Sequence, residues 1–386
     1  MKAGRGVAMP AVNILHLHSS FSLGGKEARA VRLMNAVGDR ARHTIVSAMP
    51  DHYCARDAIA PGIAYEIAQN PPPLTGRPSV RRYEEIARYM RRFDLVLTYN
   101  WGGIDGVMAR RVAGMKGPPV VHHEDGFNED EAGGLKPQRN IYRRIALTAA
   151  QALAVPSVTL ERIALTAWKQ PAERVHRIGN GIATGLYAVK PKPDAIPGFR
   201  RKPGEIVVGT LAGLRPVKNI PLLVRAVGGM ASRVRLVVVG EGPERQAIVD
   251  AAEAMGLEDQ LVLPGFLPNP HRYVGLFDIM ALSSRSEQSP IAIIEGMAAG
   301  LPIVAPPVGD IANMVSAANV PYIENAIDEV RIRDALQAIA GAEPAARTWL
   351  GEQNRAKAVA EYDEATMIAR YAALYCGALG RPGALE

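Results

Sequence analysis

Two glutamates, Glu287 and Glu295, stand in the stretch SSRSEQSPIAIIEGMAAGLPIVA (283–305) with seven mostly apolar residues between them. The local pattern fixes where each falls. A strand, DIMALSS (278–284), ends near Ser284. Ser289 followed by Pro290 is the pairing of an N-cap and a first helical position, so a helix is expected from Pro290 to about Ala299. Gly300 supplies the left-handed stop and Pro302 prevents continuation. Glu287 therefore lies in the loop ahead of the helix and Glu295 in its second turn. The free N–H groups at the helix start, around Ser289, Pro290 and Ile291, suit a phosphate. A carboxylate one to two turns on can accept hydrogen bonds from paired hydroxyls such as a ribose diol. The competing reading is two solvated glutamates flanking a helix.

The rest of the chain supplies the frame for such a site. Apolar runs of four to eight residues alternate with helical periodicity, the pattern of βαβ units and a parallel sheet. In the first half the strands are NILHLHSS (13–20), HTIVSAMP (43–50), FDLVLTYN (93–100), PPVVHHEDG (118–126) and ALAVPS (152–157). The Pro-rich stretch YAVKPKPDAIPGFRRKPG (187–204) reads as a linker. The alternation then restarts with EIVVGTL and VRLVVVGEG, and turns wholly helical after 325. With 48% hydrophobic residues, 22% charged and only 5% aromatic, the chain has cores of the small aliphatic kind that helices-on-sheet folds use. Cys54 and Cys376 are far apart and lack metal-ligand spacing, which points to a reducing compartment and no structural zinc. Pro10, Asn13, His16 and His18 interrupt any signal-peptide core, and no apolar run is long enough to span a bilayer.

Charge is uneven: residues 1–190 carry 26 Lys and Arg against 16 Asp and Glu, although the whole chain is only +7. Six of these cations crowd into RPSVRRYEEIARYMRR (Arg77, Arg81, Arg82, Arg88, Arg91 and Arg92), and Arg139, Arg143 and Arg144 form a second group. Either they are solvated helix faces or they lean on an anionic lipid surface or acidic substrate. Nucleic acid is not the partner expected for them.

The stretch 283–305 resembles the signature of the retaining glycosyltransferases of family 4, an E-x(7)-E motif followed by a helix and Gly-Leu-Pro. The resemblance runs in order over roughly 13 to 320. It implies that Glu295 holds the donor ribose and Glu287 the donor sugar. VVGTLAGLRPVKNIPLLVRAV (207–227) resembles the family's first strand of the second domain, which places Lys218 on the donor diphosphate. The arginine usual five residues earlier is Gly213 here, and Arg215 is the candidate replacement. SLGGKEARAVRLM resembles the Gly-Gly-x-Glu loop after strand one, where Gly24 and Gly25 let backbone approach a phosphate or acceptor; a tight structural turn is the alternative. VVHHEDGF sits where the family places a histidine that reaches the donor sugar. His122 and His123 lie on opposite strand faces, so one of them is expected to do so, His123 being the catalytic candidate and His122 the acceptor-side one. Glu124 and Asp125 are candidates for acceptor contacts. RIGNGIA (177–183) resembles the family's PNGVD turn and makes Asn180 a donor-side candidate, while the Gly-x-Gly of VVVGEGPERQAI (237–248) is read as structural.

The resemblance implies an α/β protein of GT-B type, two Rossmann-like parallel-sheet domains facing a central cleft. The expected divisions are an acceptor-side domain at 1–190, a linker at 191–204, a nucleotide-sugar-binding domain at 205–360 and a helical tail at 361–386 that returns to the first domain. The implied reaction is sugar transfer from a nucleotide diphosphate sugar to an acceptor hydroxyl, with retention and without a cofactor or bound metal. The acceptor expected is a glycan or lipid-linked precursor in envelope or exopolysaccharide synthesis, and the location is cytoplasmic or peripheral at the inner membrane face. A nucleotide-sugar epimerase of the same shape and a non-catalytic binding protein are the alternatives.

Overall fold

A computed structural model describes residues 10–22, 24–49, 51–127, 131, 134–324 and 326–386. The chain divides into two compact units, residues 1–179 with 367–386, and residues 180–366.

The first unit is built on β1 (Val12–His18), α1 (Gly25–Val37), β2 (Ala41–Ser47), β3 (Tyr65–Ile67), α2 (Val80–Met90), β4 (Leu95–Tyr99), α3 (Asn100–Val112), β5 (Val120–His123), α4 (Pro137–Ala146), β6 (Ala152–Val155), α5 (Val158–Thr166) and β7 (Val175–Arg177). The strands form one parallel sheet in the order β3-β2-β1-β4-β5-β6-β7. Strands covered by helices on both faces cannot alternate polar and apolar residues, and β4 is accordingly buried at all five positions. The helices obey local rules. Ser79 caps α2 by accepting the Arg82 N–H, and Ser157 caps α5 by accepting the Leu160 N–H.

The second unit contains β8 (Ile206–Leu211), α6 (Ile220–Gly228), β9 (Val234–Val239), α7 (Arg245–Ala254), β10 (Leu261–Gly265), β11 (Ile279–Ala281), α8 (Ile291–Ala298), β12 (Ile303–Val304), α9 (Ile311–Met314), α10 (Glu329–Gly341) and α11 (Pro344–Glu361). Its parallel sheet runs β10-β9-β8-β11-β12. In both sheets the strand order therefore reverses beside the first strand of the unit, the place where doubly wound folds bind ligands.

The final helix, α12 (Glu364–Leu379), packs on the first unit, where Met367, Tyr371, Tyr375 and Cys376 join Val12, Ile14 and Leu97 in one core. The stretch 191–204, expected as a linker, belongs instead to the second unit. Ile196 and Phe199 are buried there against Val274 and Phe277, so two apolar anchors hold the Pro-rich segment down.

Candidate functional site

In the second unit, β8 and β11 are neighbours at the reversal point, and the loops leaving their carboxyl ends are stitched together. The Arg285 N–H donates to the Val217 carbonyl at 2.8 Å, and Ser283 Oγ donates to the Lys218 carbonyl at 3.0 Å. This brings Lys218 to Glu287 although 69 positions separate them: Lys218 Nζ donates to Glu287 Oε1, and Ser284 Oγ donates to the same oxygen at 2.7 Å. The side chains are 18% and 10% exposed, so the pair is mostly shielded yet still reachable.

The helix that follows starts one residue later than expected. Pro290 adopts extended backbone and takes the half-in cap position, and α8 begins at Ile291. Ser289 is therefore not the cap; its hydroxyl points to Met314 Sδ at 3.7 Å. No side chain caps α8, and the Ile293 N–H turns back to the Pro290 carbonyl at 3.1 Å, so the positive end of the helix has no side-chain acceptor where it leaves the loop that carries Glu287. Glu295, in the second turn, accepts a hydrogen bond from the Tyr187 hydroxyl at 3.0 Å. Gly300 has the positive φ expected of a helix stop, +74°. Asn180 Nδ2 donates to the Ser289 carbonyl at 3.1 Å and so tethers the residue just ahead of α8.

A cavity of about 440 Å³ opens at the carboxyl ends of β8, β9 and β10, walled by Leu211, Gly213, Gly240, Phe266 and Tyr273 among others. Burial, with the Glu295 carboxylate as a lesser cause, raises the Tyr273 phenol, whose hydroxyl donates to the Leu267 carbonyl at 3.1 Å. Gly213 leaves room there. A side chain begun at this position would first meet Arg215 Nε at 3.8 Å, so Arg215 folds back over the gap. The Gly-x-Gly turn is structural: Cβ atoms on Gly240 and Gly242 would lie 1.8 and 2.4 Å from the carbonyl oxygens of Ala212 and Leu214. Sequence reasoning missed Tyr187 and Tyr273, and only the long-range pairing of their segments with α8 could have found them.

The first-unit candidates are placed differently. Gly24 caps α1 and Gly25 opens it, both exposed. Their neighbour Glu27 is buried and ion-paired with Lys26. His122 and His123 do lie on opposite faces, but each is 0% exposed. His123 uses Nδ1 toward the Thr98 carbonyl (3.2 Å) and Nε2 toward the Tyr375 hydroxyl (2.8 Å), leaving neither ring nitrogen for a substrate. Burial pushes its imidazole down to about 3. His122 Nδ1 meets Thr98 Oγ1 at 2.7 Å.

Glu124 and Asp125, expected as acceptor contacts, are instead held by arginines. Arg143 Nε donates to Glu124 Oε2 at 3.1 Å, and Arg29 grips Asp125 with Nη2 at 2.8 Å from Oδ2. Burial alone would push the Asp125 carboxyl up, but Arg29 outweighs it and holds the group below the usual carboxylate range. Arg143 corrects the surface reading of the arginines as well. It is 1% exposed, bonded to Glu124 and Glu131, with its guanidinium 5.1, 5.2 and 5.2 Å from the rings of Trp101, Phe127 and Trp168. Arg82 is likewise buried, on Asp105.

Among the described residues, no group of three or more His, Cys, Asp or Glu is placed to hold a metal, and no helix is long and apolar enough to cross a membrane.

Comparison with known proteins gives two family matches, glycosyl transferases group 1 over residues 192–343 and the glycosyl transferase 4-like domain over residues 24–181. A putative glycosyltransferase, EpsF of Bacillus subtilis, is 27% identical over 210 residues, 51% of this chain and 53% of that protein. The N-acetyl-alpha-D-glucosaminyl L-malate synthase of Bacillus anthracis is 22% identical over 208 residues, 53% of this chain and 54% of that protein. The chain thus spans about half the length of these curated relatives. The crystal structure of HepE from Anabaena in complex with UDP superposes with a TM-score of 0.73 at 20% identity, covering 93% of this chain and 98% of that one.

Proposed function

The chain belongs to the group 1 glycosyltransferases and has their GT-B type fold, and from that premise we propose that it moves a sugar from a nucleotide diphosphate sugar to an acceptor hydroxyl with the anomeric configuration retained. The observation that carries this reading is the meeting of Lys218, Glu287 and Ser284 at the reversal point of the second sheet, with the uncapped start of α8 beside them and Glu295 one turn on.

Each group has a task in the transfer. The bond from the anomeric carbon to the diphosphate oxygen breaks while a bond to the acceptor oxygen forms on the same face. The departing diphosphate gains negative charge, which Lys218 and the N-terminus of α8 are placed to stabilise, with Arg215 as a further cation. Departing phosphate oxygen takes the acceptor proton, so no side chain need serve as base. Glu287, once Lys218 turns to the diphosphate, offers its carboxylate to sugar hydroxyls. Glu295 accepts the ribose diol, with Tyr187 holding the carboxylate in place. The cavity beside Gly213 and Tyr273 has room for the base. In this scheme protein cations and helix dipole, rather than a resident metal, carry the diphosphate.

One relative named for O-antigen biosynthesis and one named for a diphospho-undecaprenol-linked acceptor support an acceptor that is a glycan or a lipid-linked precursor, and the cationic first unit supports presentation at a membrane face. The test is thermal stabilisation of wild type and Glu295→Ala by the UDP, GDP, ADP, CMP and dTDP series. A site filled to a hundred times its Kd stabilises by about 2.7 kcal/mol. One series that shifts wild type and not the variant supports the reading and names the base; no shift by any series refutes it.

A further inference from the structure

We infer that the outer face of α4 is the surface on which this protein meets an anionic lipid bilayer. The inner face of this helix is fully used, because Arg143 and Ala146 are buried in the first unit. Its outer face carries Ile141 and Ile145, one turn apart, which remain 60% and 43% exposed. Between them in sequence is exposed Arg144, and Pro137–Ala146 contains no Asp or Glu. Two further arginines converge on the C-terminal end of the helix. Arg111 Nη1 donates to Thr148 Oγ1 at 2.6 Å, and Arg174 Nη1 donates to the Thr148 carbonyl at 3.1 Å. Both arginines are exposed, as are Val112 beside Arg111 and, of opposite charge, Glu173 beside Arg174. Two branched apolar side chains bordered by cations are what an interfacial helix needs: the apolar pair enters the acyl boundary while the cations stay with the headgroups.

The arginine-rich helix α2 does not qualify, although it is the denser cationic run in sequence. Arg82 is spent on Asp105, Arg81 pairs with Glu85, Arg92 lies over the Tyr89 ring, and Val80 is the helix's exposed large apolar residue. It offers charge without an apolar pair to insert. The inference deepens the proposal that the acceptor is presented at a membrane, but it stands on the first unit alone.

The test is flotation of the full chain with vesicles of phosphatidylcholine alone and of phosphatidylcholine mixed with an equal amount of phosphatidylglycerol. Neither donor nor acceptor is present, so failure here and failure of the transferase reading are separable; nucleotide stabilisation is measured on the same variants. Wild type is expected to float with the anionic vesicles and to release as salt rises. Ile141→Glu with Ile145→Glu should weaken that binding by tenfold or more, on the order of the transfer free energy of two aliphatic side chains. Arg111→Glu with Arg144→Glu should remove the preference for anionic lipid. Ile141→Leu with Ile145→Leu, and Arg88→Glu with Arg91→Glu on α2, should bind as wild type does. Equal flotation of wild type and the Ile-to-Glu variant overturns the inference, as does no flotation of wild type. A wild-type dimer made monomeric by the same variant overturns it too, and assigns the face to a second copy of the chain.

Discussion

Replacing Lys218 with alanine separates a structural ion pair from a catalytic cation, because the two roles predict very different magnitudes. The pair with Glu287 is 18% and 10% exposed, between the surface case, about 0.2–1 kcal/mol, and the fully buried case, about 3–5 kcal/mol when one partner is removed. Glu287 keeps the Ser284 hydroxyl after the change, which limits the penalty on the stranded carboxylate. The expected stability loss is therefore about 1 kcal/mol, a fall in Tm of roughly 2–4 °C for a unit of this size. The expected kinetic loss is far larger. A preorganised donor aimed at charge that develops in the transition state is worth on the order of 10²–10³ in kcat. Since that charge grows as the diphosphate leaves, kcat should fall more than donor affinity does. Nucleotide release at saturating donor and acceptor gives kcat, donor titration gives KM, and scanning fluorimetry gives Tm. A variant with kcat within about threefold of wild type refutes the role. A large fall in Tm that tracks the loss of activity refutes it as well, because the lysine would then be holding the two loops together. Glu287→Gln provides the control for Tm alone, since it removes the ion pair while leaving the cation in place.

The remaining predictions concern the other charged groups. Glu295→Ala should weaken nucleotide binding roughly 10–100-fold, the range for losing charged hydrogen bonds to a diol, and titration calorimetry with the diphosphate measures it. Arg143→Met strands the buried Glu124, while Glu131 keeps Arg139 at 2.9 Å, so chemical denaturation should show a loss of about 3–5 kcal/mol; a loss near zero would mean that solvent reaches the cluster. Stability should fall as pH drops through the ordinary histidine range. Burial pushes His43 down to about 4 and His123 to about 3, and lowers His16 and His18 as well. The unfolded chain therefore takes up protons below about pH 6.5 that the folded one refuses, costing up to about 1.4 kcal/mol per pH unit for each such histidine. Their contribution is fully present above that pH and lost toward the folded values. His43→Asn should flatten the fall in Tm between about pH 7 and pH 5.

What the sequence made legible followed from locality. Strands buried on both faces are near-continuous apolar runs, so β4, β8 and β9 announce themselves, whereas β3 (YEI) and β7 (VHR) sit at sheet edges, are three residues long and carry polar side chains. The two glutamates were legible by spacing, but their partners were not. Lys218 meets Glu287 only because β8 pairs with β11, and Tyr187 reaches Glu295 from 108 positions away. Residue type misled where burial inverted its usual meaning. Arg143 looks like a surface cation until two carboxylates and three rings surround it, and His123 looks like a sugar ligand until Thr98 and Tyr375 occupy both nitrogens.

Pro290 is the most informative of these shifts. Had Ser289 capped α8, its hydroxyl would have answered one of the first-turn N–H groups. With proline in that position the helix starts without a side-chain acceptor, and the serine turns to Met314 instead. An uncapped start gives up roughly 1 kcal/mol of helix stability relative to a serine cap such as those of α2 and α5. Here it lies beside a cation whose own partner, Glu287, belongs to the same loop, so helix end and lysine together form a positive site that one carboxylate only partly neutralises. A diphosphate answers both at once. That is why the local defect and the ion pair are better understood as one feature than as two: under the proposed transfer, a donor diphosphate is expected to recover the stability given up at Pro290, which a nucleoside lacking the diphosphate should fail to do.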